Sequence, residues 1–318
     1  MRYVRQKAVQ LFIVVFAVTI LTFTLLSFLP GKREYAIGGV GRSPEEYAQI
    51  REQWHLNDPI PVQYFIWVKN LVTGDMGVSS AFNVPVSDLI KDRLPVSLYL
   101  MFYAVTLALI VAVPAGIFAA YRANGFTDRT LSTGAFALLS IPSYIMGVLL
   151  ALIFAVNLKW LPALSTYHPL FSDPVDHVRN FALPAITLAL GEIAVFMRLL
   201  RADMIATLQS DYITMARAKG MSTRAVLFRH ALRPSLFSLI TAAALTVGAL
   251  IGGAVIVEQI FGLPGMGDLT VQAIFRRDFL VVQMCVFIFA LIFVLVNFVV
   301  DLLYAVIDPR IRHARALA

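Results

Sequence analysis

The sequence predicts an all-α membrane protein with six transmembrane helices and a small external subdomain between the first and second of them. Of the 318 residues, 59% are hydrophobic and only 14% are charged, whereas about a quarter of the residues in soluble domains are charged. Charge-free runs long enough to cross a bilayer recur along the chain. Basic residues gather between alternate runs, as they do in the cytoplasmic loops of membrane proteins.

The charge-free runs locate the individual spans. A helix rises about 1.5 Å per residue, so about 20 apolar residues cross a hydrocarbon core of about 30 Å. Residues 180–197 form the weakest run, because Glu192 interrupts it. We count this run as a span because only then does the chain cross the membrane an even number of times, which leaves both basic ends of the chain on one side. The six predicted spans are 8–29, 94–121, 130–158, 180–197, 234–257 and 279–300.

The distribution of charge sets the predicted orientation. The N-terminus, residues 122–129, residues 198–233 and the tail from Asp308 onwards hold 15 lysines and arginines and only four acidic residues. These segments are therefore predicted to be cytoplasmic. The net charge of +7 is then explained by topology, and no nucleic-acid partner is expected. The predicted parts are 1–29 (N-terminus and first span), 30–93 (external subdomain), 94–311 (five-helix core) and 312–318 (cytoplasmic tail).

The external segment, residues 30–93, is too long for a simple connection. Residues 59–72 are rich in aromatic side chains and have the pattern of an amphipathic helix. Gly74 and Gly77 predict a turn after this helix, because glycine adopts positive φ without a steric penalty.

Candidate metal ligands are sparse. The single cysteine, Cys285, lies in an apolar run, which excludes a disulfide within the chain and predicts a packing role. His168 and His177 are nine residues apart in a predicted outer loop, which is not the spacing of a metal site. No metal is therefore expected to bind this chain.

Several residues inside the spans allow two interpretations. Three prolines lie inside predicted spans, at Pro114, Pro142 and Pro184. They either produce kinks beside a pathway through the membrane or are ordinary prolines of membrane helices, in which neighbouring groups bond to the freed carbonyls. In the fifth span, small residues recur every four positions from Ala244 to Gly252. This spacing predicts close packing of another helix.

The sequence lacks the motifs of an enzyme or of a nucleotide site. It contains no Gly-Lys-Ser/Thr phosphate loop, no His-Glu-x-x-His zinc motif and no Gly-x-Ser-x-Gly nucleophile motif. A membrane transporter that has no nucleotide site of its own draws its energy from an ion gradient or from a partner protein. The acidic residues inside the spans, Glu192, Glu258 and Asp301, are too scattered for a proton relay, and Asp301 is expected to pair near the inner surface. This favours a partner-driven transporter over a stand-alone secondary carrier.

The longest predicted cytoplasmic connection, residues 198–233, has the pattern of a helical hairpin. A short helix begins at Asp211, Gly220 ends it, and Ser222 or Thr223 caps a second helix. The hairpin is either a surface that a partner protein contacts or an amphipathic segment that lies on anionic lipid. Its basic side chains, which would suit an acidic groove, are Arg217, Lys219, Arg224 and Arg229.

This hairpin resembles the coupling loop of permease subunits in binding-protein-dependent ABC importers. Asp-Tyr-Ile at 211–213, Ala-Arg-Ala-Lys-Gly at 216–220 and Arg-His-Ala-Leu at 229–232 are similar to the dipeptide, oligopeptide and nickel branch of that family. The general form of the loop, Glu-Ala-Ala-x-x-x-Gly, has glutamate where this chain has Thr214 and alanine where it has Met215. The resemblance assigns ATPase coupling to Asp211, Tyr212, Ala216, Arg217, Ala218, Lys219, Gly220, Arg229 and His230.

The resemblance extends over nearly the whole chain and implies a type I ABC importer permease fold in a bacterial inner membrane. The chain would be the first of two related permease subunits. Its implied partners are the second permease, two ATP-binding subunits or one two-domain ATPase, an extracytoplasmic substrate-binding protein, and membrane lipid. No cofactor is expected in this chain, since the ATPases would hold ATP and Mg²⁺. The further similar segments are 74–79, 93–95, 252–258, 264–267, 277–278 and the C-terminal end from Asn297 to Arg310.

The implied cargo is a di- or oligopeptide, and the same machinery importing nickel, haem or another small solute is the alternative. Glu192 either meets a substrate amine in the pathway or pairs with Arg198 or a neighbouring helix. Further pathway or gate candidates, at the outer end of the fifth span and in the loop after it, are Glu258, Pro264, Gly265 and Gly267.

Overall fold

The computed structural model of the protein describes residues 2–27, 34–35, 39 and 41–307, and these fold almost entirely into helices. Apart from an isolated bridge between Val78 and Pro85, this described part holds no β-structure. Part of the predicted external segment, the C-terminal Asp308 to Arg310 and the predicted tail at 312–318 lie outside the described residues. The principal helices are α1 (Arg2–Ser27), α2 (Pro44–Gln53), α3 (Ile60–Thr73), α4 (Val86–Tyr121), α5 (Phe126–Ser140), α6 (Ser143–Leu150), α7 (Pro174–Leu208), α8 (Asp211–Ala218), α9 (Leu232–Phe261), α10 (Met266–Phe275) and α11 (Phe279–Ile307).

Five helical segments of the described chain are long and apolar enough to cross a membrane, and two bent helix pairs bring the number to as many as seven. The five correspond to the first, second, fourth, fifth and sixth predicted spans. The predicted fourth span, 180–197, lies within α7, which continues through charged residues beyond both ends of the predicted span. The five segments are Arg5–Thr24, Val86–Tyr121, Pro174–Leu208, Thr223–Leu250 and Phe279–Leu302.

The third predicted span, 130–158, is not one continuous helix. Helix α5 ends at Ser140, α6 begins at Ser143, and a π-helical segment, Ala151–Asn157, follows. The two halves meet at 99°. Pro142 lacks an N–H and disfavours the helical conformation of the residue before it, so Ile141 adopts extended angles (φ −99°, ψ 119°). Pro184, in contrast, stays inside α7.

One compact unit consists of residues 1–97 and 264–318. Its core contains Val86, Met266, Val281 and Cys285, so the predicted packing role of the cysteine is confirmed. Helices α1 and α11 pack against each other, and Lys7 Nζ lies 2.6 Å from Asp301 Oδ2. The predicted pairing of Asp301 is thereby confirmed.

Within this unit, a buried carboxylate anchors the loop that follows α3. Asp278, just before α11, accepts hydrogen bonds from Ser79 Oγ at 2.5 Å, from the Ala81 amide at 3.1 Å and from the Val281 amide at 3.2 Å. The two glycines of the predicted turn adopt positive φ, +87° at Gly74 and +78° at Gly77, so the prediction of a turn is confirmed.

The second compact unit consists of residues 98–263, in which α9 and α5 pack along α7. A bidentate ion pair joins α5 to α7. Arg201 Nε lies 2.5 Å from Asp128 Oδ1, and Arg201 Nη2 lies 2.7 Å from Asp128 Oδ2. Asp128 is buried and also accepts bonds from the Asn124 amide and Ser132 Oγ. The hairpin at residues 211–233 and Glu192 both belong to this unit.

Candidate functional site in a helical hairpin

The first arm of the predicted hairpin is α8, and its end is determined by Gly220. This glycine has φ of +80°, a left-handed conformation that side chains with a Cβ rarely adopt. The Gly220 amide donates to Arg217 O at 2.9 Å, and the Met221 amide donates to Ala216 O at 3.2 Å. This pair of bonds is the Schellman arrangement, which satisfies carbonyls at the helix end. The predicted glycine stop is confirmed.

The second arm begins at the predicted cap. Ser222 Oγ accepts a hydrogen bond from the Ala225 amide at 3.3 Å, which selects Ser222 over Thr223 as the capping residue. A short helix, Thr223–Ala225, then passes into a π-helical segment, Val226–Ala231, which continues into α9. The second arm therefore has no break before the long apolar helix.

The arms face each other through a small apolar interior. Tyr212 Oη lies 3.4 Å from His230 O, across the two arms. The side chains that are withdrawn from solvent in this interior are Ile213, Ala216, Val226, Leu227 and Ala231. Burial of this set fixes which side chains point outwards.

The outward face combines apolar and basic side chains. Tyr212, Met215 and Phe228 are about half exposed. Between residues 211 and 233 the sequence has five lysines and arginines and one acidic residue. A shallow cavity of about 380 Å³ opens between the Arg224, Phe228 and Arg229 side chains. Aromatic residues, methionine and arginine are the types enriched in protein–protein interfaces, so this face is suited to a partner with acidic residues.

Of the nine coupling candidates, seven have exposed side chains or backbone. Ala216 is buried and faces the hairpin interior, and His230 is partly buried. The exposed candidates are Asp211, Tyr212, Arg217, Ala218, Lys219, Gly220 and Arg229.

Sequence reasoning missed Met215 and Phe228 as members of the outward face. The signal was available, because Ile213 and Ala216 are three residues apart and face inwards, which directs Met215 outwards. Phe228 follows the buried Leu227 and is displaced by about 100° around the helix axis. Exposed apolar side chains indicate a contact surface where they form a contiguous patch.

Glu192 lies on α7 beside a second cavity. Its Oε2 accepts a hydrogen bond from Thr246 Oγ1 on α9 at 3.2 Å, so the carboxylate pairs with a neighbouring helix. Arg198, the other predicted partner, stacks instead on the Phe136 ring, with its guanidinium carbon 4.3 Å from the ring centroid. The cavity beside Glu192 has a volume of about 270 Å³ and is lined mainly by apolar side chains together with Ser143 and Thr187.

Of the other pathway candidates, only Glu258 belongs to the same compact unit as Glu192. Glu258 is buried on α9, twelve residues beyond Thr246, which corresponds to about 18 Å along the helix. In the other compact unit, Gly265 caps α10, Pro264 precedes it, and Gly267 is buried in its first turn. The Met266 amide between the two glycines donates to Ser97 Oγ at 2.8 Å.

The two histidines of the predicted outer loop lie next to each other in the structure. His177 Nδ1 lies 2.5 Å from the carbonyl oxygen of His168, and the His177 ring is fully buried among Tyr99, Tyr103 and Phe181. Nowhere in the described part of the chain do three His, Cys, Asp or Glu side chains gather as metal ligands would. The His177 ring contributes to packing.

Comparison with known proteins gives matches along the whole chain. The family described as binding-protein-dependent transport system inner membrane component matches residues 112–313, and the N-terminal family of such membrane components matches residues 1–101. A relative from Brucella abortus (strain 2308), named as a peptide transport system permease, is 39% identical over 97% of this chain and 98% of its own length. The oligopeptide transport system permease protein AppB of Bacillus subtilis is 37% identical over 98% of this chain and 99% of its own length.

Solved structures agree on the fold. The inward-facing MetNI methionine ABC transporter superimposes with a TM-score of 0.56 at 16% identity, over 69% of this chain and 96% of the matched chain. An amino acid ABC transporter superimposes with a TM-score of 0.52 at 16% identity, over 68% and 93% of the two chains. The predicted all-α permease fold is confirmed. The chain therefore belongs to the family of binding-protein-dependent transport system inner membrane components, as a membrane-spanning transport subunit and not an enzyme.

Proposed function

We propose that this chain forms part of the membrane path of an ATP-driven importer for di- or oligopeptides. The hairpin at residues 211–233 carries this proposal, since its exposed apolar and basic face is suited to an ATPase subunit. The cargo is inferred from the relatives named as peptide permeases, which match the chain over nearly its full length. A second, related permease, two ATP-binding subunits or one two-domain ATPase, and an extracytoplasmic binding protein complete the assembly.

The hairpin then lies in the cytoplasm, as do both chain termini, and residues 30–93 lie on the external side. The excess of basic residues in the inner segments supports this orientation. The ion pair between Lys7 and Asp301 also supports it, because it holds the start of α1 beside the end of α11. In this arrangement, ATP-driven closure of the ATPases moves the hairpins and alternates the access of the path between the two sides.

The proposed function is tested by uptake of radiolabelled dipeptides and tripeptides into cells that lack their own peptide importers. Cells that express the chain with its second permease, ATPases and binding protein should accumulate label, and the ATPases should co-purify with the chain in detergent. Omission of the ATPases should abolish uptake. Uptake that persists without them, and stops when the proton gradient is collapsed, would identify a secondary carrier instead.

Glu192 is proposed to meet the positively charged amino group of the cargo in its cavity. Replacing Glu192 by glutamine should raise the KM for peptide uptake about tenfold, because a charge-assisted hydrogen bond contributes about 1.5–3 kcal/mol. Thr246→Val is the matched control, since it removes the partner of the carboxylate and keeps its charge. ATPase co-purification should be normal in both variants, and an unchanged KM in Glu192→Gln would exclude this role.

A further inference from the structure

Helix α3, in the segment between the first two spans, packs one face against neighbouring helices and exposes apolar side chains on the other face. Its inner face contains Gln63 and Tyr64, both buried. Its outer face exposes large apolar side chains, and the exposed fraction is 65% at Phe65 and 81% at Val72. Val62, which is 44% exposed, extends the same apolar surface. A soluble external subdomain would place this surface in water, which is unfavourable for a contiguous patch.

The inner face packs beside membrane spans. Tyr64 Oη lies 2.7 Å from Thr19 Oγ1, in a buried hydrogen bond, and the Tyr64 ring centroid lies 5.6 Å from that of Phe23. Thr19 and Phe23 belong to Arg5–Thr24, the part of α1 that is long and apolar enough to cross a membrane.

Contact with α11 gives the depth of the helix. The Trp67 ring centroid lies 6.1 Å from that of Phe287. Phe287 is eight residues inside α11, about 12 Å below the first residue of that helix. Helix α3 therefore lies beside two of the candidate membrane spans, and its Trp67 contacts α11 inside the segment Phe279–Leu302 and not at the end of that segment.

Large apolar side chains are also exposed on α1, next to the inner face of α3. Phe16 is exposed on α1, and its ring centroid lies 6.1 Å from that of Tyr64. Phe12, Ile20 and Leu21 are exposed on the same helix. The only charged residue in α3 is Lys69, on the outer face, whose aliphatic stem can carry its ammonium to the headgroups.

We propose that α3 is an interfacial helix that binds acyl chains of the leaflet in which α11 begins, with Val62, Phe65 and Val72 as its lipid contacts. Amphipathic helices of this kind lie in the plane between headgroups and acyl chains, with basic residues reaching the headgroups. The external subdomain expected at residues 30–93 then comprises α2 and its neighbours but excludes α3. This inference is independent of the cargo and of the coupling partner.

Spin labels in vesicles of phosphatidylethanolamine and phosphatidylglycerol test this proposal. The full-length chain, assembled with its partner subunits, carries a single cysteine at position 65 or 72 in a Cys285→Ala background. Two reference positions are chosen from the same compact unit: Phe12, exposed on the span α1, and Glu45, exposed on the charged helix α2. Accessibility is measured to oxygen, which partitions into lipid, and to a water-soluble nickel chelate.

Labels at Phe65→Cys and Val72→Cys should match Phe12→Cys, with accessibility to oxygen greater than to the chelate, while Glu45→Cys should show the opposite order. Accessibility to the chelate equal to that at position 45 would place α3 in water and overturn the proposal. Low accessibility to both reagents would overturn it as well, because a partner subunit and not lipid would then cover α3. Using two label positions separates these outcomes from a local disturbance by either substitution.

Discussion

Replacing Gly220 by valine is expected to abolish most peptide uptake and to release the ATPases during purification. The residue has φ of +80°, and a β-branched side chain in this conformation costs about 1–2 kcal/mol. That strain corresponds to roughly a tenfold change in the equilibrium constant for forming the native turn. Uptake and the amount of co-purified ATPase should therefore each fall about tenfold, measured in the same membrane preparations.

Gly220→Asn is the matched control for this experiment. Asparagine tolerates the left-handed conformation, and a Cβ at position 220 meets no atom within 4 Å. This variant should therefore retain most of the uptake. If both variants lose uptake while the protein remains folded, a partner approaches the backbone too closely for any side chain. If the valine variant keeps both uptake and ATPase association, the hairpin is not the coupling element.

Replacing Asp128 by asparagine should lower the free energy of unfolding by about 3 kcal/mol, the low end of the cost of breaking a buried ion pair from one side. The low end applies because 26% of the Arg201 side chain is exposed, whereas only 4% of the Asp128 side chain is. The variant also weakens the bonds from the Asn124 amide and Ser132 Oγ. Thermal unfolding in detergent, followed by circular dichroism, measures the loss.

Asp88→Asn is the control, since it removes an equally charged residue from a surface pair. Asp88 and Lys91 are 3.7 Å apart, and more than half of each side chain is exposed. Pairs of this kind contribute about 0.5 kcal/mol, so the unfolding temperature should barely change. Equal shifts in the two variants would show that the Asp128–Arg201 pair does not hold α5 to α7.

Features determined by local chemistry were predictable from the sequence. Gly220 ends α8 as expected, because the left-handed turn at a helix C-terminus favours glycine. Ser222 caps the second arm as expected, because its hydroxyl satisfies an amide three residues away. Long charge-free runs become helices, because a membrane offers no other partner to the backbone.

Features that depend on distant residues or on local competition were not predictable in the same way. Asp128 and Arg201 are separated by 73 positions, and only the packing of α5 against α7 brings them together. Pro142 breaks its helix and Pro184 does not, although both lie in apolar runs. At Pro184 the buried neighbours on α7 hold the helix together, whereas most side chains around Pro142 are exposed. Hydropathy does not distinguish these two environments.

The second arm of the hairpin continues into α9 without a break, so a movement of this arm is transmitted along the helix. Thr246 lies 15 residues beyond Ala231, about 22 Å along the helix. A tilt of about 5° at the hairpin therefore shifts Thr246 by about 2 Å, enough to break its 3.2 Å hydrogen bond to Glu192. The π-helical segment Val226–Ala231 lies between the hairpin turn and α9, and π-helical turns occur frequently at functional sites. If a partner moves the hairpin, as proposed, the displacement would separate Thr246 Oγ1 from the Glu192 carboxylate.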